Sequence, residues 1–383
     1  MLTLIENAEV YAPVLKGRQS ILLLDGRIGA VGPVDRRAVE TLGVEHEVLD
    51  ATDCLAVPGF IDPHEHLLGG SGEQGFASQT PPVELSELVP YGITTVVGCL
   101  GVDTTMKTLA GLLARVKGLK EEGLSAYMWT GGYNVPPSTI LGSPREDVMF
   151  VEEIVGCGEV AISDERATDP EPRELARLVS DVHAGGMLSR KAGLTHFHVG
   201  EGPRRMQCLR DVLDERLFQV RPEWLYATHI SRNAELMREA IELAAQGVTV
   251  DIDTVEEDLA KWLRFYLDNG GDPTRLTVSS DAGSSAPRLL YEQVCKAVVE
   301  HKLPLERVLP LVTENTARAL KLEGKGRIAP GKDADVALLR RGSLDVVDVF
   351  AKGRRMVRDG TLVVRERFLE DSNRRVTLHG EKD

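Results

Sequence analysis

The chain has 383 residues, 42% hydrophobic and 27% charged, which is long enough for one large domain or two modest ones with a proper core. Its 45 lysines and arginines against 59 aspartates and glutamates give a formal net charge of -14, which disfavours binding to nucleic acid phosphates. No run approaches the roughly 18 apolar residues of a membrane span, and Glu6 and Glu9 stand where a signal peptide would need basic and then apolar residues.

Both ends of the chain are predicted to form short strands joined by turns. Residues 1–56 contain β-rich runs, and residues 326–366 resume the same pattern. Asp-Gly pairs at 25–26 and 359–360 are hairpin-turn signals. The sequence therefore predicts one small β-sandwich-like domain, built from 1–56 plus 323–383, beside a central domain at 57–322.

In the central part, β-rich runs alternate with amphipathic helical runs. The helical patterns have apolar residues three and four apart and lie at 105–121, 172–184, 233–246 and 286–301. The predicted strands lie at 57–63, 93–100, 125–131, 158–163, 194–199, 225–230, 248–253 and 276–281. Eight strands alternating with helices predict an α/β fold, a (β/α)8 TIM-type barrel. An open doubly wound sheet is the alternative, but its usual glycine-rich phosphate turn after the first strand is missing.

Four histidines and an aspartate fall at the carboxyl ends of predicted barrel strands, the face where TIM-barrel sites are built. His64 and His66 are two residues apart on the first strand, so they face the same side. His198 ends the fifth strand, His229 the sixth and Asp281 the eighth. A His-x-His pair alone could equally be two surface or core histidines. The common placement of all five favours a metal site.

Several short motifs accompany these residues near the strand ends. In chain order they are LLGGSGEQG (67–75), GGYNVP (131–136), AISDER (161–166), THISRN (228–233) and SSDAGSS (279–285). The terminal β-domain adds GKDADV (331–336), which is similar to the amidohydrolase superfamily at large. Together the first five motifs resemble the isoaspartyl (β-aspartyl) dipeptidases of the amidohydrolase superfamily, along nearly the whole chain. That resemblance implies a binuclear metallopeptidase, homo-oligomeric, with two divalent ions per chain. Zn²⁺ is the first candidate, although manganese, iron or cobalt suit the same ligands.

One position departs from that family, in which a carboxylated lysine on strand four bridges the two metals. Glu159 stands at the matching position and completes a ligand set with His64, His66, His198, His229 and Asp281. It has the charge of a lysine carbamate but is several bonds shorter. Glu159 either bridges two ions directly, or pairs with a cation lower in the barrel while the site holds one ion. A buried unpaired carboxylate is costly, so a cation is expected beside it in both cases.

The resemblance also implies the chemistry. A metal-bridging hydroxide attacks the isopeptide amide bond of a β-aspartyl dipeptide. Asp281 takes the proton and passes it to the leaving amine. Tyr133 matches a tyrosine that donates to the oxyanion, or else packs at the barrel rim.

Four further positions match the family's substrate-binding residues. Glu73 corresponds to a carboxylate that binds the substrate amine, and Arg166 and Arg232 correspond to arginines that hold carboxylates. Ser285 matches a hydroxyl near the same group. Each could instead be an ordinary polar residue of the surface. The three charged positions, Glu73, Arg166 and Arg232, suit one zwitterionic dipeptide, and this favours the binding role.

Two other functions stay open. A related amidohydrolase could act on a cyclic amide, as dihydroorotases and hydantoinases do, or on an N-acyl amino acid, and Glu159 keeps this alternative alive. A non-catalytic scaffold is disfavoured because every ligand position holds a competent residue.

The five cysteines are scattered without a CxxC pair, which is typical of buried thiols in a reducing cytoplasm. We therefore expect a cytoplasmic enzyme whose substrate is a small-molecule dipeptide, and we expect neither nucleic acid nor a membrane as a partner.

Overall fold

The computed structural model describes residues 2–256, 258–370 and 372–373 of the chain. Its strands form two sheets, an eight-stranded parallel barrel and a nine-stranded sheet made from both chain ends. The prediction of a TIM-type barrel with a separate terminal sheet is confirmed. No helix in the described ranges combines the length and apolar character needed to cross a bilayer.

The strands are, in chain order, β1 (Leu2–Tyr11), β2 (Leu15–Leu24), β3 (Arg27–Gly32), β4 (His46–Asp50), β5 (Cys54–Pro58), β6 (Phe60–Glu65), β7 (Ile93–Gly98), β8 (Ser125–Thr130), β9 (Ile154–Ile162), β10 (Leu194–Val199), β11 (Leu225–Thr228), β12 (Thr249–Asp253), β13 (Leu276–Ser279), β14 (Val336–Arg340), β15 (Val346–Ala351), β16 (Arg354–Arg358) and β17 (Thr361–Leu362). The α-helices are α1 (Arg36–Thr41), α2 (Leu109–Glu122), α3 (Pro144–Phe150), α4 (Pro172–Ser189), α5 (Gln207–Val212), α6 (Ala234–Gln246), α7 (Leu259–Asp268), α8 (Arg288–Val299), α9 (Leu305–Val308) and α10 (Glu314–Ala319). Short 3₁₀ helices lie at Phe76–Ser78, Leu85–Glu87, Val89–Tyr91, Pro222–Trp224, Leu309–Val312 and Arg367–Leu369.

The barrel runs from β6 to β13 with each strand parallel to the next. Its last joint, between β13 and β6, is made just beyond the regular strands. Asp281 N donates to His64 O at 3.1 Å, and His66 N donates to Ala282 O at 2.7 Å. The ring therefore closes at the carboxyl ends of its first and last strands.

Helix α4 shows how local sequence sets a barrel helix. It begins at Pro172, where the missing N–H costs least, and Glu171 and Glu174 form a reciprocal capping box. Leu175, Val179 and Val182 recur at helical spacing and are fully buried, so one face packs against the barrel. The barrel strands are buried on both faces, as parallel strands covered by helices should be.

The predicted first barrel strand, 57–63, is wrong in its bounds. Val57 and Pro58 end β5 of the terminal sheet, and the barrel strand starts only at Phe60. Gly59 is the point where the chain changes sheets, and a Cβ there would overlap the side chain of Thr94. One apolar run thus supplies two strands.

The terminal sheet has the strand order β17-β16-β15-β14-β5-β1-β2-β3, with β4 on β1. Asp25-Gly26 and Asp359-Gly360 are two-residue hairpin turns in which all four residues have positive φ, between 48° and 75°. The short helix α1 within the first 56 residues was not predicted. The proposed domain boundaries stay a prediction, and residues 1, 371 and 374–383 of the predicted terminal domain lie outside the described residues.

A buried charge cluster joins the barrel to the terminal sheet. Lys325, 6% exposed, donates to Ser125 Oγ at the start of β8 at 2.6 Å and pairs with Asp333 at 2.7 Å and with Asp335. The two carboxylates offset the cost of burying the ammonium. All five cysteines are free thiols, and four of them are buried.

Candidate active site

The predicted metal ligands meet at the carboxyl ends of the barrel strands, although they come from five different strands. All of them lie on a strand or within two residues of its end: His64 and His66 at β6, Glu159 on β9, His198 on β10, His229 after β11 and Asp281 after β13.

The Glu159 carboxylate is at the centre of this group. The nearest ring nitrogens to its oxygens are His198 Nδ1 at 3.0 Å, His66 Nε2 at 3.3 Å, His64 Nε2 at 3.4 Å and His229 Nε2 at 3.7 Å. The side chain is fully buried. A glutamate at this position therefore reaches all four imidazoles.

The Asp281 carboxylate also contacts three of these imidazoles. Its Oδ1 lies 3.2 Å from His66 Nε2 and 3.3 Å from His64 Nε2, and its Oδ2 lies 4.0 Å from His229 Nε2. His229 and Asp281 both have left-handed backbones, with φ of 65° and 48°. Such conformations cost about 1–3 kcal/mol each and concentrate at functional sites.

The donor set fits a divalent cation. Three groups of possible ligand atoms share members with one another, and within each group all atoms lie within 4.8 Å of one another. The groups are His64, His66, Cys99 and Glu159; His64, His229 and Asp281; and Glu159, His198 and His229. Both ring nitrogens of His64, Glu159 Oε1 and His229 Nε2 are buried without a hydrogen-bond partner among the described residues. Imidazole and carboxylate groups that converge and lack other partners are what a metal site requires.

The ionisation of Glu159 and Asp281 also favours a bound cation. Burial alone would raise the pKa of Glu159, but the imidazoles of His64 and His198 hold it well below its ordinary value. For Asp281 too, burial is outweighed by His64 and His66, and the pKa is lowered. Two carboxylates that stay ionised among imidazoles, Glu159 fully buried and Asp281 partly buried, stabilise a cation at their centre.

Two carboxylates behind the ligands were missed by sequence reasoning as partners. Asp253 Oδ2 lies 2.9 Å from His229 Nδ1, and Asp164 Oδ2 lies 3.0 Å from His198 Nε2. Carboxylates in such positions orient ligand histidines. Burial lowers the pKa of His229, but the contacts with Asp253, Glu159 and Asp281 together raise it to about 9. Asp253 could have been found, since it ends the predicted seventh strand.

His196 lies two residues before His198, so strand spacing places it on the same face, but the family that the sequence resembles has no metal ligand at this position. It is fully buried, stacked on Trp129 with ring centroids 4.9 Å apart, and its centroid is 4.8 Å from that of His64. It belongs to none of the three ligand groups.

A cleft of about 160 Å³ opens directly above the ligands. The predicted substrate-binding and catalytic residues line it together: Glu73, Tyr133, Arg166, Arg232, Asp281 and Ser285. Val102 and Val255 add apolar surface. A larger cavity of about 810 Å³ lies beside α4, and none of the three ligand groups borders it.

The polar groups of the cleft contact one another. Tyr133 Oη lies 2.9 Å from His198 Nδ1, and the Arg166 guanidinium carbon is 5.2 Å from the Tyr133 ring centroid. Arg232 Nη2 lies 3.2 Å from His198 Nε2. Ser285 Oγ donates to the backbone oxygen of Asp281 at 3.2 Å. Burial, and then the charge of Glu159, raise the pKa of Tyr133 well above its ordinary value, so the phenol stays a proton donor.

The glycine-rich loop that carries Glu73 is held at its start. Lys107 Nζ donates to Leu68 O at 2.8 Å, to Gly70 O at 2.6 Å and also to Gly69 O. Thr80 Oγ1 accepts from Gly70 N and donates to Gly283 O, both at 2.6 Å. The loop after β6 is thereby joined to the loop after β13, on which Ser285 lies.

Comparison with known proteins defines the class. The model of the amidohydrolase family matches residues 228–356. The crystal structure of a β-aspartyl dipeptidase from Fervidobacterium islandicum AW-1 is similar, with a TM-score of 0.89, 37% identity, and coverage of 94% of this chain and 98% of that chain. The chain therefore belongs to the amidohydrolase superfamily. Within that superfamily it is a β-aspartyl dipeptidase-like member. The same organism's enzyme in complex with a β-Asp-Leu dipeptide gives a TM-score of 0.87 at 36% identity over the same shares of both chains.

More distant relatives carry other names. An imidazolonepropionase from Ruegeria sp. (strain TM1040) is 24% identical over 76% of this chain and 79% of its own length. A dihydroorotase from Pelotomaculum thermopropionicum is 29% identical over 43% of this chain and 35% of its own. The chain spans about half the length of the adenine deaminases that it also matches, such as 51% of one from Bacillus pumilus.

Proposed function

We propose that this hydrolase cleaves the isopeptide amide bond of β-aspartyl dipeptides in a metal-dependent reaction. The observation that carries the proposal is that one small cleft joins the ligand cluster to a carboxylate, Glu73, and two arginines, Arg166 and Arg232. A β-aspartyl dipeptide has one ammonium and two carboxylates, so its charges complement that cleft. The similar Fervidobacterium enzyme in complex with β-Asp-Leu supports the same substrate class.

The proposed centre holds two divalent ions, with Zn²⁺ as the first candidate. His64, His66 and Asp281 would hold one, His198 and His229 the other, and Glu159 would lie between them. The contacts of Glu159 with imidazoles on both sides support this bridging role. Divalent ions bound there would lower the pKa of a coordinated water and polarise the amide carbonyl.

The chain's own residues supply the proton transfers. Asp281 is an ionised carboxylate at the cleft wall, so it can accept the proton of the attacking water and pass it to the leaving amine. Tyr133 keeps its proton and lines the same cleft beside His198, so it can donate to the oxygen that becomes negative in the transition state.

Charge also positions the substrate. Glu73 would bind the free amine, and Arg166 and Arg232 would hold carboxylates through their planar guanidinium groups. Asp164 supports this role because it holds the Arg166 side chain in place from behind, with Nε–Oδ1 and Nη2–Oδ2 distances of 2.8 Å. Ser285 would add a hydroxyl at the same wall.

The test is a substrate panel with the purified enzyme loaded with Zn²⁺ or Mn²⁺. We expect release of leucine from β-Asp-Leu, abolished by a chelator and restored by metal, and no release from α-Asp-Leu. His64→Ala and His229→Ala should lose metal and rate together. Full activity of the metal-free enzyme, or equal rates on the α- and β-linked dipeptides, would contradict the proposal.

A second candidate is hydrolysis of a cyclic amide or an N-acyl amino acid, and the match to a dihydroorotase favours including it. Dihydroorotate, a hydantoin and N-acetyl amino acids therefore belong in the same panel. These substrates lack the free ammonium that Glu73 would bind, so a preference for any of them would replace the dipeptidase proposal with this one.

A further inference from the structure

The sulfur of Cys99 lies against the back of His66, one of the candidate ligands. Cys99 follows β7 and is 1% exposed. Its Sγ is 3.7 Å from His66 Nδ1 and 3.5 Å from the backbone oxygen of Glu65. The other ring nitrogen, His66 Nε2, faces Glu159 and Asp281. One edge of the imidazole thus faces the candidate centre and the opposite edge faces a thiol.

We infer that Cys99 is a positioning residue that fixes the ring and the tautomer of His66 for metal binding. A thiol has one weak donor and a weak acceptor. The Glu65 oxygen can only accept, so the S–H group donates to it and the sulfur lone pair is left for His66 Nδ1–H. With the proton on Nδ1, the lone pair of Nε2 points at the centre. The inference rests on the metal site of the proposed function.

Two further observations support a role at the centre. Glu159 Oε1, in the same four-residue group as Cys99, is buried and has no hydrogen-bond partner within the part of the chain that the structure describes, so that group still has a ligand atom to satisfy. Glycines enclose the rest of the His66 side chain: a Cβ at Gly101 would be 2.9 Å from His66 Cε1, and one at Gly283 would be 2.9 Å from His66 Cβ. Little room remains for another partner at Nδ1.

The histidines on the other side use carboxylates for this purpose, as His229 does with Asp253. A thiol is a weaker and less basic acceptor than a carboxylate. His66 is therefore oriented without the extra negative charge that a further carboxylate would add beside Glu159 and Asp281. Direct binding of the sulfur to an ion is the competing arrangement, because Cys99 lies in one group of possible ligand atoms with His64 and Glu159. The contact of the sulfur with His66 Nδ1 rather than Nε2 favours the positioning role.

The experiment compares Cys99→Ala, Cys99→Val and Cys99→Ser in full-length protein. Metal is removed, and Zn²⁺ and Co²⁺ affinities are measured by competition with a chromophoric chelator. Alanine and valine lose both hydrogen bonds, so we expect binding of one ion to weaken about 10–100-fold. Serine can donate to Glu65 and accept from Nδ1, so we expect it to stay within a few-fold of wild type. Cys208→Ala, which removes another buried thiol on α5, should leave affinity unchanged.

The variants also separate this role from general packing. Valine fills the space of the thiol, so weakened binding in both Cys99→Val and Cys99→Ala, with unchanged unfolding of the metal-free proteins, supports the inference. Wild-type affinity in Cys99→Val would overturn it and leave the proposed function standing. A sulfur-to-cobalt charge-transfer band in the Co²⁺ wild type, absent in Cys99→Ala, would also overturn it, since the thiol would then be a ligand. A wild type that binds no metal would overturn the proposed function as well.

Discussion

Arg166 and Glu73 form an ion pair across the mouth of the cleft, with Nη1 and Oε1 2.7 Å apart. Glu73 lies in the loop after β6, and Arg166 lies in the loop after β9. Asp164 holds the same guanidinium through Nε at 2.8 Å and keeps its own pKa low through that contact. Asp164 therefore keeps Arg166 in place when Glu73 binds another cation. A substrate ammonium that binds Glu73 replaces only one of the two carboxylate contacts of Arg166.

Glu73→Gln tests this arrangement. The amide keeps the shape of the side chain but loses the charge that would bind an ammonium, so we expect kcat/KM for β-Asp-Leu to fall mainly through KM. A charge-assisted contact of about 1.5–3 kcal/mol corresponds to roughly ten- to a hundredfold or more. Metal content should not change, because Glu73 belongs to none of the ligand groups.

The matched control is N-acetyl-β-Asp-Leu, which has no ammonium. Wild type and Glu73→Gln should cleave it equally slowly. If the variant instead loses the same factor on the blocked and free dipeptides, Glu73 does not recognise the amine.

Lys107→Met tests whether the loop carrying Glu73 must be held. Methionine keeps the apolar length of the side chain but removes the ammonium that contacts three successive carbonyls. We expect KM to rise roughly tenfold, since small displacements of binding groups are costly, while metal content stays at the wild-type level. Lys261→Met removes an exposed ammonium on α7 and should leave KM unchanged. An unaltered KM in Lys107→Met would show that the loop keeps its position without the lysine.

Glu159→Gln tests the bridge. The amide has the same length but no charge, so it removes the anion shared by four imidazoles, and we expect the two-ion stoichiometry to be lost. Elemental analysis after equilibrium dialysis measures the metal content. Reconstitution of the wild type should not depend on bicarbonate, because position 159 has no amine to carboxylate. Two ions bound as tightly as in wild type would exclude Glu159 as the bridge and make Asp164 the next candidate.

Glu153 gives a prediction about pH that is separate from the site. Burial would raise its pKa, but hydrogen bonds from Lys120 and Lys117, at 2.8 and 2.9 Å, lower it from 4.5 to about 2. A carboxyl with a lowered pKa stabilises the fold fully above pH 4.5, and the contribution is lost as the pH falls toward 2.

The measurement compares wild type with Glu153→Gln. We expect the variant to unfold more easily at pH 6 by about 1–2 kcal/mol. The difference should shrink steadily between pH 4.5 and 2. A difference that is constant across this range would mean that the lysine contacts do not stabilise the charged form. Metal content should be normal in the variant, which also makes it a control for Glu159→Gln.

Strand periodicity was enough to predict where the candidate ligands lie, because in a parallel barrel every strand's carboxyl end reaches the same face. It placed His198, His229 and Asp281 without any knowledge of their mutual distances. It could not show that one apolar run, 57–63, is divided at Gly59 between two sheets. At that point the backbone passes too close to Thr94, in another strand, to leave room for a Cβ, and no local pattern contains this contact.

The partners behind the ligands could be predicted only in part, by their position at strand ends. Asp253 and Cys99 follow the strand pattern but have no motif of their own, and each is defined by a contact with a residue 24 or 33 positions away. The left-handed backbones of His229 and Asp281 also had no sequence sign, since neither position is a glycine. Such features follow from tertiary packing rather than from local propensity.

The barrel joint described above has a consequence for the order of folding. Its two hydrogen bonds use the backbones of His64, His66 and Asp281, and Asp62 adds a contact to Ser280 N across 218 positions of sequence. We expect contacts of such long range to form late, because the whole intervening chain must first be arranged. The candidate centre can therefore exist only in a chain whose ring has already closed. An ion bound by those side chains would then slow its reopening, and hydrogen exchange at the amides of His66 and Asp281 should report this directly.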